Sequence, residues 1–346
     1  SVLEPCWRQL PKAVGSAAQA PRWGKFWMAC LVISDGYLAD GIFLPGGFGK
    51  HLAWEESHAL NLAKAQLLQG KYSMDVGNLF RIIRKIVSHP VTALRRLHFR
   101  FRHRWLAPHD FNVSVDNCSL TLRSDSVLAE TLVSGEFERD ERTLLCSLAR
   151  PGMVVFDIGA NIGMYSVLWG KCVGESGHVY AFEPFAPTAE YLRRNILANE
   201  LVNVTVVQKA AADKEGIWDF RVSGDGRDVY NSLADGSGPE ERLERVPVTT
   251  LDAFCAGSGV RRIDLLKVDV EGAEELVLRG AERIIRCSPS ICILAEINEP
   301  NSPSSRRLFL MLAGWGFSGF RISRGGSLTK CDGEGFLRGN AFFRRV

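Results

Sequence analysis

Two short runs place acids and glycines where they could do chemistry. In M-V-V-F-D-I-G-A-N-I-G, Met153 to Gly163, apolar residues lead into Asp157 and then into a loop with Gly159 and Gly163. A buried parallel strand that ends in a tight turn before a helix has this form. In the second run, H-V-Y-A-F from His178 to Phe182 stops on Glu183, with Pro184 behind it. Strand, glycine loop, helix, strand and acid together make one half of a nucleotide-binding α/β fold. Glycines let the backbone close on a ligand, and an acid at the end of the next strand accepts hydrogen bonds from ribose hydroxyls. A nicotinamide cofactor requires G-x-G-x-x-G, which seats a pyrophosphate on a helix N-terminus. Here Ala160 and Asn161 follow Gly159, so that spacing fails, and the Asp157 carboxylate would repel a pyrophosphate. A carboxylate ahead of the loop suits a cation instead. S-adenosylmethionine carries an ammonium and a sulfonium, so Asp157, Gly159, Ala160, Asn161, Gly163, Glu183 and Pro184 are expected to bind it.

The stretch I-D-L-L-K-V-D-V-E-G-A-E, Ile263 to Glu274, holds the second set of groups. As a strand over 263–270, it puts Lys267 and Asp269 on one face, with Glu271 at the turn into a helix over 273–285. Charges in an apolar parallel strand are costly unless paired or used. The carboxyl end of such a strand is where ligands bind. If the group that receives the methyl is a hydroxyl, the transfer is an in-line displacement in which the protein aligns the acceptor oxygen and takes its proton. His178 is the only histidine after residue 110, and it enters its strand on the wrong side of the sheet. Asp269 and Glu271 are therefore expected to act as base or to hold the acceptor hydroxyl, with Lys267 orienting them. An ion pair between Lys267 and Asp269 that only stabilises the core is the alternative. The strand over 291–298 ends in Glu296 and Asn298, and Glu296 completes the catalytic set. Three carboxylates could hold Mg²⁺, but a cationic cofactor is sufficient reason for them and no metal is expected.

With these runs the sequence resembles the FkbM family of S-adenosylmethionine-dependent methyltransferases, whose first motif is similar to D-I-G-A-N-x-G and which carries a segment like K-V-D-V-E-G. The G-E-F-E step at Gly135 to Glu138 and the T-L-D-x-F step at Thr250 to Phe254 are also similar to it, and the resemblance covers about 111–346. It implies an α/β, Rossmann-like class I methyltransferase fold: a mostly parallel seven-stranded sheet with helices on both faces. It further implies O-methylation of a small-molecule hydroxyl, of sugar or natural-product type. By resemblance, Ala212 and Asp213 lie at the adenine edge of the cofactor; a turn role for Asp213 fits the residues equally well.

The elements that must position these groups are legible in outline. At 346 residues the chain can bury a full core. Its net charge of +3 gives no reason to expect a polyanion partner. Nine cysteines show no metal-ligand spacing and several sit in apolar runs, as Cys292 does, so a reducing, cytoplasmic setting is expected. No run approaches the roughly 20 apolar residues of a membrane span. Residues 111–346 are expected to form the methyltransferase domain and 1–110 an N-terminal extension. That extension holds a helix over 54–68 and a stretch from Arg81 to Arg104 with eight basic and no acidic residues. The stretch suits a solvated helix pair, a peripheral membrane contact or, less well, a nucleic acid. A hairpin over 111–123, a helix over 139–148, a helix over 187–199, a strand over 204–208, a polar loop over 223–244 and a final strand from Asn340 complete the expected domain. A nicotinamide oxidoreductase and a non-catalytic binding module on the same fold are the rival readings.

Overall fold

The computed structural model describes residues 109–223, 232–233, 241–297, 302–331 and 338–345, with Thr92, Arg95, Arg96, His98 and Phe99 as helical residues before them. The chain divides into two units, 1–98 and 99–346. The expected helix over 54–68 and most of the basic stretch lie outside the described residues. None of the described helices is long and apolar enough to cross a membrane.

A hairpin opens the second unit, β1 (Asp110–Val115) and β2 (Cys118–Arg123). Asp116 and Asn117 turn it with φ of 49° and 62°, the left-handed conformation that short polar side chains tolerate. Then come α1 (Val127–Ser134), α2 (Arg139–Leu148), β3 (Val154–Ile158), α3 (Met164–Val173), β4 (His178–Phe182), α4 (Ala186–Ala198) and β5 (Val204–Val207). Three caps fix helix starts from sequence: Ser126 accepts from Leu128 N–H ahead of α1, and Thr250 and Ser302 do the same for two later helices. The chain continues through β6 (Ala210–Ala211), β7 (Gly216–Ser223), β8 (Ser232–Leu233) and β9 (Glu241–Thr249) to α5 (Leu251–Ser258). It closes with β10 (Leu265–Val268), α6 (Glu274–Arg279), α7 (Glu282–Arg286), β11 (Cys292–Ile297), α8 (Pro303–Gly314), β12 (Phe317–Ser323), β13 (Ser327–Cys331) and β14 (Gly339–Arg345).

The main sheet has the order β13-β12-β14-β11-β10-β3-β4-β5. Its five strands from β11 to β5 are parallel, whereas β14 runs antiparallel to both β11 and β12. This is the Rossmann-like class I methyltransferase fold; β13 adds an eighth strand to the seven expected. Alternation along the strands sends Phe156, Leu266, Ile293 and Phe343 to one face, where α5 to α8 cover them. Val155, Leu265, Leu294 and Phe342 go to the other, under α2 and α3.

Two expectations need correction. The polar segment 223–244 is not one loop: β7 extends to Ser223, β8 pairs with it, and β9 starts at Glu241 in an antiparallel partnership with β7. Only one face of this second sheet, with Phe220, Val222, Val246 and Val248, is buried, so its composition stays polar. The helix over 273–285 is two helices that meet at Gly280 and Ala281, and position 280 must be glycine because a Cβ there would come within 2.0 Å of the Ala212 carbonyl oxygen.

The hairpin is tied to the glycine loop by Asn195, which is fully buried in α4. Its amide accepts from Thr121 N–H at 2.7 Å and donates to the Thr121 and Ile162 carbonyls at 3.1 and 2.8 Å. Asn195→Ala leaves these groups without partners, and the expected cost is about 2 kcal/mol, read as a melting temperature lower by roughly 4–8 °C.

Candidate active site

The carboxyl ends of β3, β4, β10 and β11 open on one cavity of about 290 Å³. After β3 the chain bends sharply. Gly159 has φ of 81°, and a Cβ there would lie 1.8 Å from the Asp269 carbonyl oxygen, so only glycine lets the loops after β3 and β10 meet. Gly159 and Ala160 donate their N–H groups to the Phe182 carbonyl, and Asp269 donates its own to Ile158. Asn161 takes φ of 51° and its side chain accepts from Ile162 N–H at 2.7 Å. Glu183 accepts from Asn161 N–H at 3.0 Å and from Phe185 N–H at 2.9 Å. The acid after β4 thus holds the glycine loop in shape.

Lys267 lies at the centre. It is buried in β10, next to Asp157 in register, and its ammonium donates to Asp269 Oδ2 at 2.6 Å and stands 5.0 Å from the Tyr165 ring centroid. Burial alone would lower its pKa, but Asp269, Glu138 and Asp157 together hold it well above the usual lysine value. Asp157 is 1 % exposed. Its Oδ2 accepts from Ser166 Oγ at 2.6 Å, whereas Oδ1 has no hydrogen-bond partner. Burial raises its pKa against the pull of Lys267. Burial also pushes Asp269 upward, but the Lys267 ammonium and hydrogen bonds from Glu296 and Lys267 outweigh it and hold the carboxyl below its usual value. Glu296 goes the other way: burial and the neighbouring Asp269 charge push it up to about 9, so it carries a proton at neutral pH and shares it with Asp269.

Asp269, Glu271 and Glu296 each bring a carboxyl oxygen within 4.8 Å of the others. Glu271 has φ of 52°. The turn it stands in is fixed by the buried Glu274, whose carboxylate accepts from Gly272 N–H at 2.9 Å and Val270 N–H at 3.3 Å.

Of the residues expected from sequence, Asp157, Gly159, Ala160, Asn161, Glu183, Pro184, Lys267, Asp269, Glu271 and Glu296 all line this cavity. Gly163 does not line it; it starts α3 with φ of 92°, packed against Leu192. Ala212 and Asp213 do not line it either. Ala212 is buried with its carbonyl against Gly280, and the wall at that end is made by Lys209, Ala210, Ala211 and Phe220. His178 is at the opposite end of the sheet, bonded to Thr205 Oγ1 at 2.8 Å. Sequence reasoning missed Glu138, whose φ of 39° turns the chain into α2 and whose Oε1 accepts from Asn340 Nδ2 at 2.8 Å. It is the last residue of the G-E-F-E step, which was noticed only as a likeness.

The residues present fit S-adenosylmethionine. Backbone that only glycine can form closes on Asp269 beside the cavity, an acid stands at the ribose end, and the buried Asp157 Oδ1 waits for a donor, which a cationic ligand supplies.

Lys267→Met would leave Asp157, Glu138 and Asp269 buried without a fixed cation. The expected loss of stability is about 3–5 kcal/mol, measured by urea unfolding at neutral pH. Glu296→Gln tests the proton. The folded pKa of about 9 lies above the ordinary 4.5, so wild-type stability falls as pH rises between these values. The variant, neutral at every pH, is expected to melt roughly 2–4 °C higher than wild type near pH 8 and to show a flatter profile.

The Methyltransferase FkbM domain matches residues 157–318. The chain is 31 % identical over 161 residues to the 31-O-demethyl-FK506 methyltransferase FkbM of Streptomyces tacrolimicus, covering 38 % of this chain and 61 % of that protein. It is 27 % identical over 157 residues to the 2-O-methyltransferase NoeI of Sinorhizobium fredii, covering 42 % and 63 %. It is also 30 % identical over 196 residues to the AMB antimetabolite synthetase AmbE of Pseudomonas aeruginosa, covering 46 % of this chain and 9 % of that protein. The chain thus spans less than two thirds of the length of each of these relatives. The segment 157–318, which carries both motifs, thus matches the FkbM methyltransferase domain.

Proposed function

We propose that the protein is an S-adenosylmethionine-dependent O-methyltransferase acting on a hydroxyl of a small molecule of sugar or natural-product type. The observation that carries this reading is that one cavity runs from Glu183 and the glycine loop to Lys267, Asp269, Glu271 and Glu296. The cofactor, when bound, supplies a methyl group activated by its sulfonium. The chain must then hold an acceptor oxygen in line and receive its proton. Asp269, ionised and fixed by Lys267, is placed to accept a hydrogen bond from the acceptor hydroxyl. Glu271, at the turn beside it, is the second carboxylate within reach, and the Glu296 proton keeps the cluster from repelling itself apart. We assign this trio to the acceptor rather than to a divalent cation, because Lys267 and that proton already balance Asp269. Two relatives support oxygen as the acceptor atom, since their names state O-methylation, at a 31-O and a 2-O position. The free thiols among the described residues suit a reducing compartment such as the cytoplasm.

Calorimetric titration with S-adenosylhomocysteine tests the reading. Micromolar binding is expected, weakened about tenfold or more by Glu183→Ala, which removes the acceptor of two loop N–H groups. NADH is expected to give no heat. Binding of NADH and not of S-adenosylhomocysteine would replace this reading with an oxidoreductase.

A further inference from the structure

A buried acceptor oxygen nearly always has a donor. Two carboxylate oxygens of residues lining the cavity have none, Asp157 Oδ1 and Glu138 Oε2. Glu138 lies ahead of the segment that matches the family, 157–318, and it is held from two sides. Its backbone is in the left-handed region at the start of α2, a conformation that is costly for a non-glycine residue and persists only where the surroundings impose it. Its Oε1 is oriented by Asn340, which arrives on β14 from 202 residues away. The Tyr165 hydroxyl is near enough for the Glu138 charge and a hydrogen-bond contact with it to add to the effect of burial on the phenol, but neither that hydroxyl nor Glu138 Oε2 has a well-formed hydrogen bond.

Burial raises the pKa of Glu138 and of Asp157 alike, the mark of acids short of nearby positive charge. Asp157, Glu138 and Asp269 all act on the Lys267 ammonium, which is already committed to Asp269 at 2.6 Å. Three acids thus share one buried cation. A ligand that completes this set must bring positive charge together with N–H donors. A sulfonium has no N–H, and a hydroxyl has one donor and no charge, whereas an ammonium offers a charge and three donors.

We propose that Glu138 binds the ammonium of the cofactor's methionine half, with Glu138 Oε2 and Asp157 Oδ1 accepting its hydrogen bonds. This rests on the S-adenosylmethionine reading above. Glu138 is on this assignment a cofactor-binding residue contributed by the segment between the hairpin and the glycine loop, and Asn340 is its positioning residue.

The test compares two ligands by calorimetry on the full chain. S-adenosylhomocysteine carries the amino-acid group, and 5′-methylthioadenosine keeps the adenosine and sulfur but lacks it. Glu138→Gln keeps an oxygen for Asn340 and places an amide where the ammonium would need an acceptor. It is expected to weaken S-adenosylhomocysteine at least tenfold and to leave 5′-methylthioadenosine unchanged. Asn340→Leu, which keeps the charge but frees the carboxylate, is expected to give a smaller loss of the same kind. Unchanged S-adenosylhomocysteine affinity in both variants overturns the proposal. So does an equal loss for both ligands, which would make Glu138 a support of the whole cavity. If wild-type protein binds neither ligand, the cofactor reading itself fails, and that result is distinct from the other two.

Discussion

The Lys267 ammonium holds three acids together at the point where β3 and β10 lie side by side. An ammonium removed from water costs several kcal/mol unless its partners are close and well oriented. That cost dictates much of what surrounds it. Asp269 must sit immediately past the strand end, Asp157 must face it from the next strand, and Glu138 must be brought in from α2. The sheet supplies the first two through register alone. The third needs a residue in a conformation that side chains rarely adopt, and Asn340 on β14 to fix it. The antiparallel strand near the sheet edge is thus part of the site, although it carries none of the motifs.

The cluster also divides labour by proton occupancy. Asp269 and Glu296 are neighbours with opposite shifts, one held ionised by Lys267 and the other held protonated by burial and by Asp269. Two like charges at hydrogen-bond distance cannot both persist in a half-buried place. The pair therefore presents one negative charge to the cavity rather than two, and that charge is fixed in place.

Most of this was readable in the order of residues, because the chemistry sits where strands end and the sequence there is continuous. Asp157 to Gly163 and Lys267 to Glu271 each span a strand end and its loop, so spacing alone places them. Glu183 and Glu296 were readable for the same reason. Glu138 was not, since its partner Asn340 is 202 residues away and no local pattern connects them. The second sheet was hidden because one of its faces meets water: Ile217 and Leu243 are exposed there, and the buried residues alternate with polar ones over too few positions to stand out. The need for glycine where α6 meets α7 was hidden because it lies in the approach of Gly280 to the Ala212 carbonyl, between segments far apart in the chain. Ala212, which the resemblance puts at the adenine edge, is buried and does not line the cavity.

The meeting of Gly159 with the Asp269 carbonyl has a mechanical meaning. The glycine loop after β3 and the loop after β10 are not separate moving parts, for with the Asp269 carbonyl packed on Gly159 neither can move toward the other without pushing it. Asp269 N–H is itself bonded to Ile158 one residue before that contact. Stiffness introduced at one loop is therefore transmitted directly to the other. Whatever settles the first loop therefore restrains the second as well.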